Sequence, residues 1–405
     1  MLNTPFSPWP CFSNDEADAV RNVLLSNRVN YWTGQECRLF EQEFADWAGA
    51  KYAVAVANGT VALDLALLAL AIGPGDEVIV TPRTFIASIS CVVNARATPV
   101  FADVDPESGN ISAATIARVL SPRTKAVICV HLAGWPCDMD PIMALASAHG
   151  FRVIEDCAQA HGARYKGRSV GSIGHVGAWS FCQDKIMTTG GEGGMVTTHD
   201  EPMWQRMWSF KDHGKSYAAT YEREHPPGFR WLHDSFGTNG RMLEIQAVIG
   251  RIQLTKMALW TRQRNANAQV LAEVCRKYPL IRVPDFPASA GCAAPSTSEN
   301  SSVHAYYKFY VYVRSEYLAE GWSRDRIVDA INAADVPCFQ GTCSEVYLEK
   351  AFDGTGWRPV ERLRIAQELG ETSLMFLVHP TINDDELRYT CSMLDRVFKQ
   401  AARPA

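Results

Sequence analysis

The segment Trp179-Ser-Phe-Cys-Gln-Asp-Lys185-Ile-Met-Thr-Thr-Gly-Gly-Glu-Gly-Gly194 places one lysine between a serine and a cluster of glycines. Apolar, strand-like residues flank it at 178–182 and 194–198. A lone lysine after a strand is normally a surface charge. Here the serine and glycines favour a confined polar pocket, because glycine lets the backbone approach a ligand without a side-chain clash. We therefore interpret Lys185 as an amine that forms a Schiff base with a carbonyl group and later moves protons between carbon atoms.

An acidic and polar element, Ile154-Glu-Asp156-Cys-Ala-Gln159-Ala-His161, precedes this segment. Asp156 ends a predicted strand, where its carboxylate can keep the pyridine nitrogen of a cofactor protonated. The amide of Gln159 can donate to the ring oxygen O3′, whereas Glu155 alternates to the other face and is expected to be structural. Together with Lys185, these residues predict pyridoxal 5'-phosphate (PLP) as the cofactor. The alternative for Asp156 is an ordinary helix N-cap.

A phosphate site is predicted at Asn58-Gly59-Thr60, between a buried strand and a helix. Backbone amides of Gly59 and Thr60 at a helix N-terminus can cradle a phosphate, to which the hydroxyls of Thr60 and Ser180 can also donate. Gly-Thr is common in strand-to-helix turns, so the motif alone is weak. Phe85, after the second strand, either stacks on the pyridine ring or belongs to the core.

The chain alternates short apolar strands with helical patterns, as in an α/β protein with a mostly parallel sheet. The predicted strands are 52–57, 77–81, 98–103, 126–132, 152–156, 178–182 and 194–198. A long helix is predicted at 242–259, and a smaller region follows with a strand at 309–313 and helices at 324–334, 360–369 and 384–401. The aromatic, charged stretch 204–233 receives no assignment. We expect a large cofactor-binding domain at 1–260 and a smaller C-terminal domain at 261–405.

Composition narrows the possible partners and the compartment. The net charge is −5, so neither nucleic acid nor an anionic membrane is an expected partner. The longest apolar run, 61–72, contains Asp64 and is too short to cross a bilayer, and the N-terminus lacks a signal-peptide pattern. The 12 cysteines show neither paired spacing nor a zinc pattern. We therefore expect a cytoplasmic protein with buried free thiols and no metal.

The sequence resembles a known family, the DegT/DnrJ/EryC1/StrS family of PLP-dependent sugar aminotransferases. The segments that carry the resemblance are Trp32-Thr-Gly34, 52–60, Gly73-Pro-Gly-Asp-Glu-Val-Ile-Val80, Val130-His-Leu-Ala-Gly134, 154–163, 180–198, Gly237-Thr-Asn-Gly-Arg-Met242 and Gln246-Ala247. The resemblance extends from near residue 13 to the end of the chain. It implies fold type I, with a seven-stranded, mostly parallel sheet domain and a smaller C-terminal α+β domain. It also implies a homodimer with shared active sites.

The resemblance also assigns roles to individual residues. Those that match the family's cofactor site are Lys185 (the Schiff-base lysine), Asp156, Gln159, Ser180, Gly59, Thr60, Phe85 and Asn239. Asn239 matches an asparagine that reaches the cofactor phosphate of the neighbouring subunit, and the alternative is that it caps the helix that follows. Because one branch of the family has histidine in place of the lysine and performs deoxygenation, Lys185 argues against that branch.

The predicted reaction is transfer of an amino group from L-glutamate to a nucleotide-linked 4-keto-6-deoxy sugar, with C4 favoured. Candidate substrate residues are Trp32, Arg241 and His379, although 336–347 and 377–380 depart from the family pattern. The alternatives are a keto-cyclitol or C3-keto-sugar aminotransferase, or a dehydratase similar to aminobenzoate synthases. A PLP-binding regulator without turnover is disfavoured, because the chain has no basic helix-turn-helix extension.

Overall fold

The computed structural model describes residues 6–286 and 301–404. The larger of its two main sheets has seven strands, and the smaller has four. The larger sheet consists of β1 Tyr52–Val56, β2 Glu77–Val80, β3 Thr98–Phe101, β4 Thr124–Val130, β5 Arg152–Asp156, β8 Val176–Ser180 and β9 Gly194–Thr198. A short ribbon, β6 Arg164–Tyr165 and β7 Arg168–Ser169, separates β5 from β8. The smaller sheet consists of β10 Ile281–Arg282, β11 Phe309–Val313, β12 Cys338–Phe339 and β13 Ser373–Phe376.

Helices pack around both sheets. Their bounds are α1 Asn14–Leu25, α2 Glu36–Ala48, α3 Gly59–Ala69, α4 Ala87–Asn94, α5 Ala113–Ala117, α6 Met139–His149, α7 Glu201–Lys211, α8 Tyr217–Tyr221, α9 Glu244–Cys275, α10 Arg324–Asn332, α11 Arg364–Thr372 and α12 Asp384–Ala401. No helix in the two described ranges is both long and apolar enough to cross a membrane.

The larger sheet has the strand order β1-β9-β8-β5-β4-β2-β3, and only β9 runs antiparallel to its neighbours. Every residue of β2, β8 and β9 is buried. Such continuous burial explains why these strands are apolar without alternation. The predicted seven-stranded, mostly parallel α/β sheet is therefore confirmed. Its parallel strands direct the ends of β5 and β8 to the same edge, where ligands bind in such folds.

Helix α9 differs most from the prediction of a helix at 242–259. It begins at Glu244 and continues to Cys275, a length of 32 residues. Its first half packs in the core beneath the larger sheet through Ala247 and Met257, and its second half packs against the smaller sheet through Leu271. The predicted boundary between 260 and 261 therefore lies inside one continuous helix, and the division into two domains stays a prediction.

Two smaller differences between the predicted and the observed helices concern α11 and the pair α7 and α8. The predicted helix at 360–369 is α11, Arg364–Thr372, because the carboxylate of Asp103 accepts from the first-turn amides of Ile365 and Ala366 at 3.0 Å and fixes the start of the helix there. The unassigned stretch 204–233 contains most of α7 and all of α8. A start signal for α7 is present just before that stretch, since the Asp200 side chain accepts from the amide of Met203 at 2.8 Å.

Candidate active site

The N-terminus of α3 meets the carboxyl end of β8. A Cβ atom added to Gly59 would lie 2.6 Å from the Cβ of Ser180, so no larger residue fits without a shift. Asn58 caps the helix by accepting a hydrogen bond from the amide of Val61 at 3.0 Å. Within residues 6–286 and 301–404, the amides of Gly59 and Thr60 donate to no acceptor. The junction thus presents two free amides and two hydroxyl groups, a set of donors that fits a phosphate.

Asp156 is a buried carboxylate at the end of β5. It accepts hydrogen bonds from Ser88 Oγ at 2.8 Å and from the amide of Ala158 at 3.1 Å. Burial raises the pKa of Asp156, and these hydrogen bonds and the charge of Lys185 offset part of that effect. No helix begins after Asp156, so the N-cap alternative is wrong. A protonated ring nitrogen would compensate for the burial of this carboxylate.

Lys185 lies on the loop between β8 and β9. Its side chain is 18% exposed, and its Nζ lies 3.7 Å from Asp184 Oδ1 and 5.2 Å from the ring centre of Tyr307. The indole of Trp9 donates to the carbonyl of Lys185 at 2.8 Å. The charge of Lys185 acts to lower the pKa of Asp156. Asp156 ends β5 and Lys185 follows β8, two parallel strands that end at the same edge of the larger sheet. The amine is therefore mostly buried and lies close to the carboxylate of Asp184 and the ring of Tyr307.

Gln159 and Phe85 lie around the same edge of the sheet. Gln159 Oε1 accepts from the amide of Ala133 at 2.8 Å, which leaves its NH₂ group to donate to a ligand. Phe85 is 69% exposed, so the core alternative for this residue is wrong. A large exposed ring beside the site fits a stacking role.

Glu155 has a structural role on the other face. This buried carboxylate accepts from His131 Nε2 at 3.0 Å and from the amides of Gly171, Ile173 and Gly174. Burial acts to raise its pKa, but these hydrogen bonds prevail and lower it.

The neighbours of Glu155 explain a cluster with the composition of a metal site. Potential ligand atoms of His131, Glu155 and Cys157 lie within 4.8 Å of one another. His131 Nδ1 accepts from the amide of Cys137 at 3.0 Å, so its Nε2 carries the proton that it donates to Glu155. Hydrogen bonds therefore already occupy the lone pairs of His131 and Glu155, and burial raises the pKa of the Cys157 thiol, so the cluster is explained without a metal.

Asn239 is exposed and lies on a segment bridged to Asp212. The N-cap of α9 is Leu243, so the alternative that Asn239 caps this helix is wrong. Arg241, a candidate substrate residue, forms an ion pair with Asp212 at 2.6 Å, and Lys215 approaches the same carboxylate at 3.2 Å. The side chain of Arg241 is thus already paired within its own chain.

The three substrate candidates do not form one cluster. Trp32 lies beneath Lys215, whose Nζ is 4.0 Å from the indole, so it shares the neighbourhood of Arg241. His379 is buried elsewhere, stacked on Trp9 at 6.0 Å. Burial lowers the pKa of His379 to about 3, so its ring is neutral. Their assignment to the substrate stays a prediction.

Sequence reasoning missed several residues of the site. Those that contact the predicted residues directly are Trp9, Ser88, Asp184 and Tyr307. Ser88 and Asp156 are 68 positions apart, and Asp184 and Tyr307 are 123 apart. No local motif signals contacts of such separation. The position of Asp184 next to Lys185 is the one signal that was present.

An amine, a buried carboxylate and a phosphate cradle at one edge of this sheet define a fold-type-I site that fits PLP. The chain belongs to the DegT/DnrJ/EryC1/StrS aminotransferase family, whose family model matches residues 10–395. It is therefore an aminotransferase, and PLP is its cofactor. The predicted family, fold, enzyme class and cofactor are confirmed.

Three similar proteins cover almost the full chain. An X-ray structure of the aminotransferase from Psychrobacter cryohalolentis is 65% identical, with a TM-score of 0.94, covering 98% of this chain and 100% of that one. The GDP-perosamine synthase of Caulobacter vibrioides is 46% identical over 399 residues, covering 96% of this chain and 97% of that protein. The UDP-N-acetyl-3-dehydro-alpha-D-glucosamine 3-aminotransferase of Acidithiobacillus ferrooxidans is 35% identical, covering 91% and 90%.

Proposed function

We propose that this protein transfers an amino group from L-glutamate to a nucleotide-linked 4-keto-6-deoxy sugar, with C4 favoured. The observation that carries the proposal is the 46% identity, over 96% of the chain, to a synthase named for a GDP-linked amino sugar. The neighbouring Lys185 and Asp156 support the transamination chemistry. The expected setting is the cytoplasm, in the synthesis of amino sugars for a surface polysaccharide or a glycoside.

Each proposed role follows from the position of the residue. When bound, PLP supplies an aldehyde carbon and a protonated ring that accepts electron density. Asp156 would hold the ring nitrogen protonated, and the Gly59–Ser180 junction would hold the phosphate. Lys185 Nζ would act as the base that takes a proton from the donor Cα, and as the acid that delivers a proton to the sugar carbon that receives the amino group. Positioned proton transfer of this kind contributes roughly 10²–10⁴ in rate.

We also propose a homodimer in which Asn239 reaches the phosphate site of the partner. Large apolar side chains near it are unusually exposed, with Phe229 at 78%, Trp231 at 76% and Phe236 at 98%. Exposed aromatic groups of this size are typical of a contact surface. Because α9 is capped by another residue, Asn239 has no capping role in its own chain.

Subunit mixing tests the shared site. Dimers of Lys185→Ala with Asn239→Ala chains contain one site with both defects and one site with neither, so activity should return on mixing. Dimers of Lys185→Ala with Asp156→Asn chains are the matched control, because each defect lies in its own chain's site and no activity should return. Equal absence of recovery in both mixtures, with subunit exchange verified, would place Asn239 in its own site.

Amination at C3 is the second candidate, since the relative that covers 91% of the chain is named a 3-aminotransferase. Half-reactions with aminated nucleotide sugars distinguish amination at C3 from amination at C4. The PLP-loaded protein is mixed with nucleotide sugars that carry an amino group at C4 or at C3, and conversion of the cofactor to its aminated form is followed by absorbance. We expect conversion with 4-amino-6-deoxy sugars. Conversion with 3-amino sugars alone would overturn the C4 assignment, and conversion with neither would reject sugar amination.

A further inference from the structure

Lys308, just before β11, approaches the same tyrosine ring as the reactive amine. Its ammonium is 4.8 Å from the ring centre of Tyr307, and the same ring lies 5.2 Å from Lys185 Nζ. The hydroxyl of Tyr307 donates to the carboxylate of Asp184. One aromatic side chain therefore contacts both lysines and the single carboxylate next to them.

Positive charge exceeds negative charge in this cluster. Within the described part of the chain, Lys308 has no hydrogen-bond acceptor, and the nearby acid, Asp184, is engaged by Tyr307 and lies beside Lys185. The guanidinium of Arg264, also close, has buried Nε and Nη2 atoms without acceptors among those residues. Because Arg264 is buried and these atoms are removed from water without acceptors, which is costly, the cluster favours the arrival of an anion.

The two substrates of the proposed reaction differ in the charge near the reacting carbon. An amino-acid donor has a carboxylate on the reacting carbon, whereas the keto sugar has hydroxyl groups beside its reacting carbon and carries its phosphates at another position of the ring. We propose that Lys308 binds a carboxylate of the amino donor and so determines donor specificity. This inference rests on the proposed function. The cofactor phosphate is not the expected partner, because its donors lie at the Gly59–Ser180 junction.

The charge state of Lys308 fits this role. Burial lowers the pKa of Lys308 to about 8, with Arg264 and Lys185 lowering it further and Asp184 opposing them. The neutral ring of His379 adds no charge near it. Below pH 8 the ammonium can pair with a carboxylate, and donor affinity should weaken as the pH rises through about 8.

The test compares the two half-reactions in Lys308→Met and Lys308→Arg, with the exposed Lys399→Met as a surface control. For Lys308→Met, we expect the dissociation constant for L-glutamate to rise roughly 10- to 100-fold, the loss of one charge-assisted hydrogen bond. The dissociation constant for the aminated nucleotide sugar should change less than about threefold in the same variant. Lys308→Arg should recover part of the affinity, and Lys399→Met should match the parent.

L-Glutamine identifies which carboxylate is bound. An equal loss with glutamine and glutamate assigns the α-carboxylate, and a loss with glutamate alone assigns the side-chain carboxylate; both outcomes support the proposal. Binding of 2-methylglutamate, which has no α-hydrogen to transfer, gives a readout independent of turnover. If parent and Lys308→Met bind it equally, or if both half-reactions weaken equally, the proposal is overturned. A parent protein that does not react with L-glutamate contradicts the proposed donor instead, and the 2-methylglutamate comparison still decides on Lys308.

Discussion

The hydroxyl of Tyr307 donates a hydrogen bond to the carboxylate of Asp184, the residue that precedes the reactive lysine. Burial and the negative charge of Asp184 raise the pKa of Tyr307, so the hydroxyl keeps its proton and donates. Although burial alone acts to raise the pKa of Asp184, Lys185 and Tyr307 lower it. This bond joins the Lys185 loop to the segment that leads into β11. It fixes a carboxylate 3.7 Å from the reactive amine.

Removal of the Tyr307–Asp184 hydrogen bond should impair turnover more than substrate binding. In Tyr307→Phe the Asp184 side chain is free to rotate, and we expect kcat to fall roughly tenfold with little change in KM, because orientation of the amine is lost. Tyr278→Phe is the matched control, since the hydroxyl of Tyr278 donates to Asp395 on the exposed surface. Equal kcat values for both variants would show that the Asp184 contact has no part in catalysis.

Asp156→Asn should keep the cofactor but lose at least about 10²-fold in kcat, because a neutral amide cannot hold the ring nitrogen protonated. The amide retains the shape of the carboxylate, so the Ser88 contact can persist. Steady-state rates, with cofactor content measured by absorbance, test this expectation. Near-parental activity would refute the proposed role of Asp156.

Glu155→Gln should affect stability instead. An amide oxygen and NH₂ cannot accept all the hydrogen bonds that reach this buried carboxylate, and the free energy of unfolding should fall by about 3 kcal/mol. Because the pKa of Glu155 is lower in the folded state, its contribution is present above the unfolded value of 4.5 and is lost as the pH falls below it. Denaturant unfolding at several pH values measures both effects. A variant as stable as the parent at pH 7 would contradict this structural role.

Gly59→Ala should weaken PLP binding roughly tenfold or more, because the added methyl group meets Ser180 and displaces the start of α3. Gly73→Ala is the control, since a Cβ at that position meets nothing within 4 Å. Equilibrium titration of the apoprotein with PLP gives both affinities. If the two variants bind PLP alike, the junction of α3 and β8 is not the phosphate site.

The sequence was sufficient to predict the larger sheet, because its strands are buried on both faces and are therefore uniformly apolar. Because parallel strands end at the same edge of a sheet, the sequence also indicated that Asp156 and Ser180 lie at one edge. Helix α9 was predicted too short, because its later residues serve a second core and its apolar pattern changes where the packing partner changes. Apart from Asp184, the neighbours of Lys185 come from segments far away in the chain, so only the folded structure brings Tyr307 and Lys308 to this loop.

The proposed chemistry depends on Lys185 being the lysine that forms the Schiff base. Lys308 is a second lysine that approaches the same ring, that of Tyr307. Borohydride reduction of the PLP-loaded protein, followed by peptide mass mapping, tests it most directly. We expect the cofactor mass on the peptide that contains Lys185, and no labelling in Lys185→Ala. Labelling of Lys308, or unchanged labelling in Lys185→Ala, would contradict it.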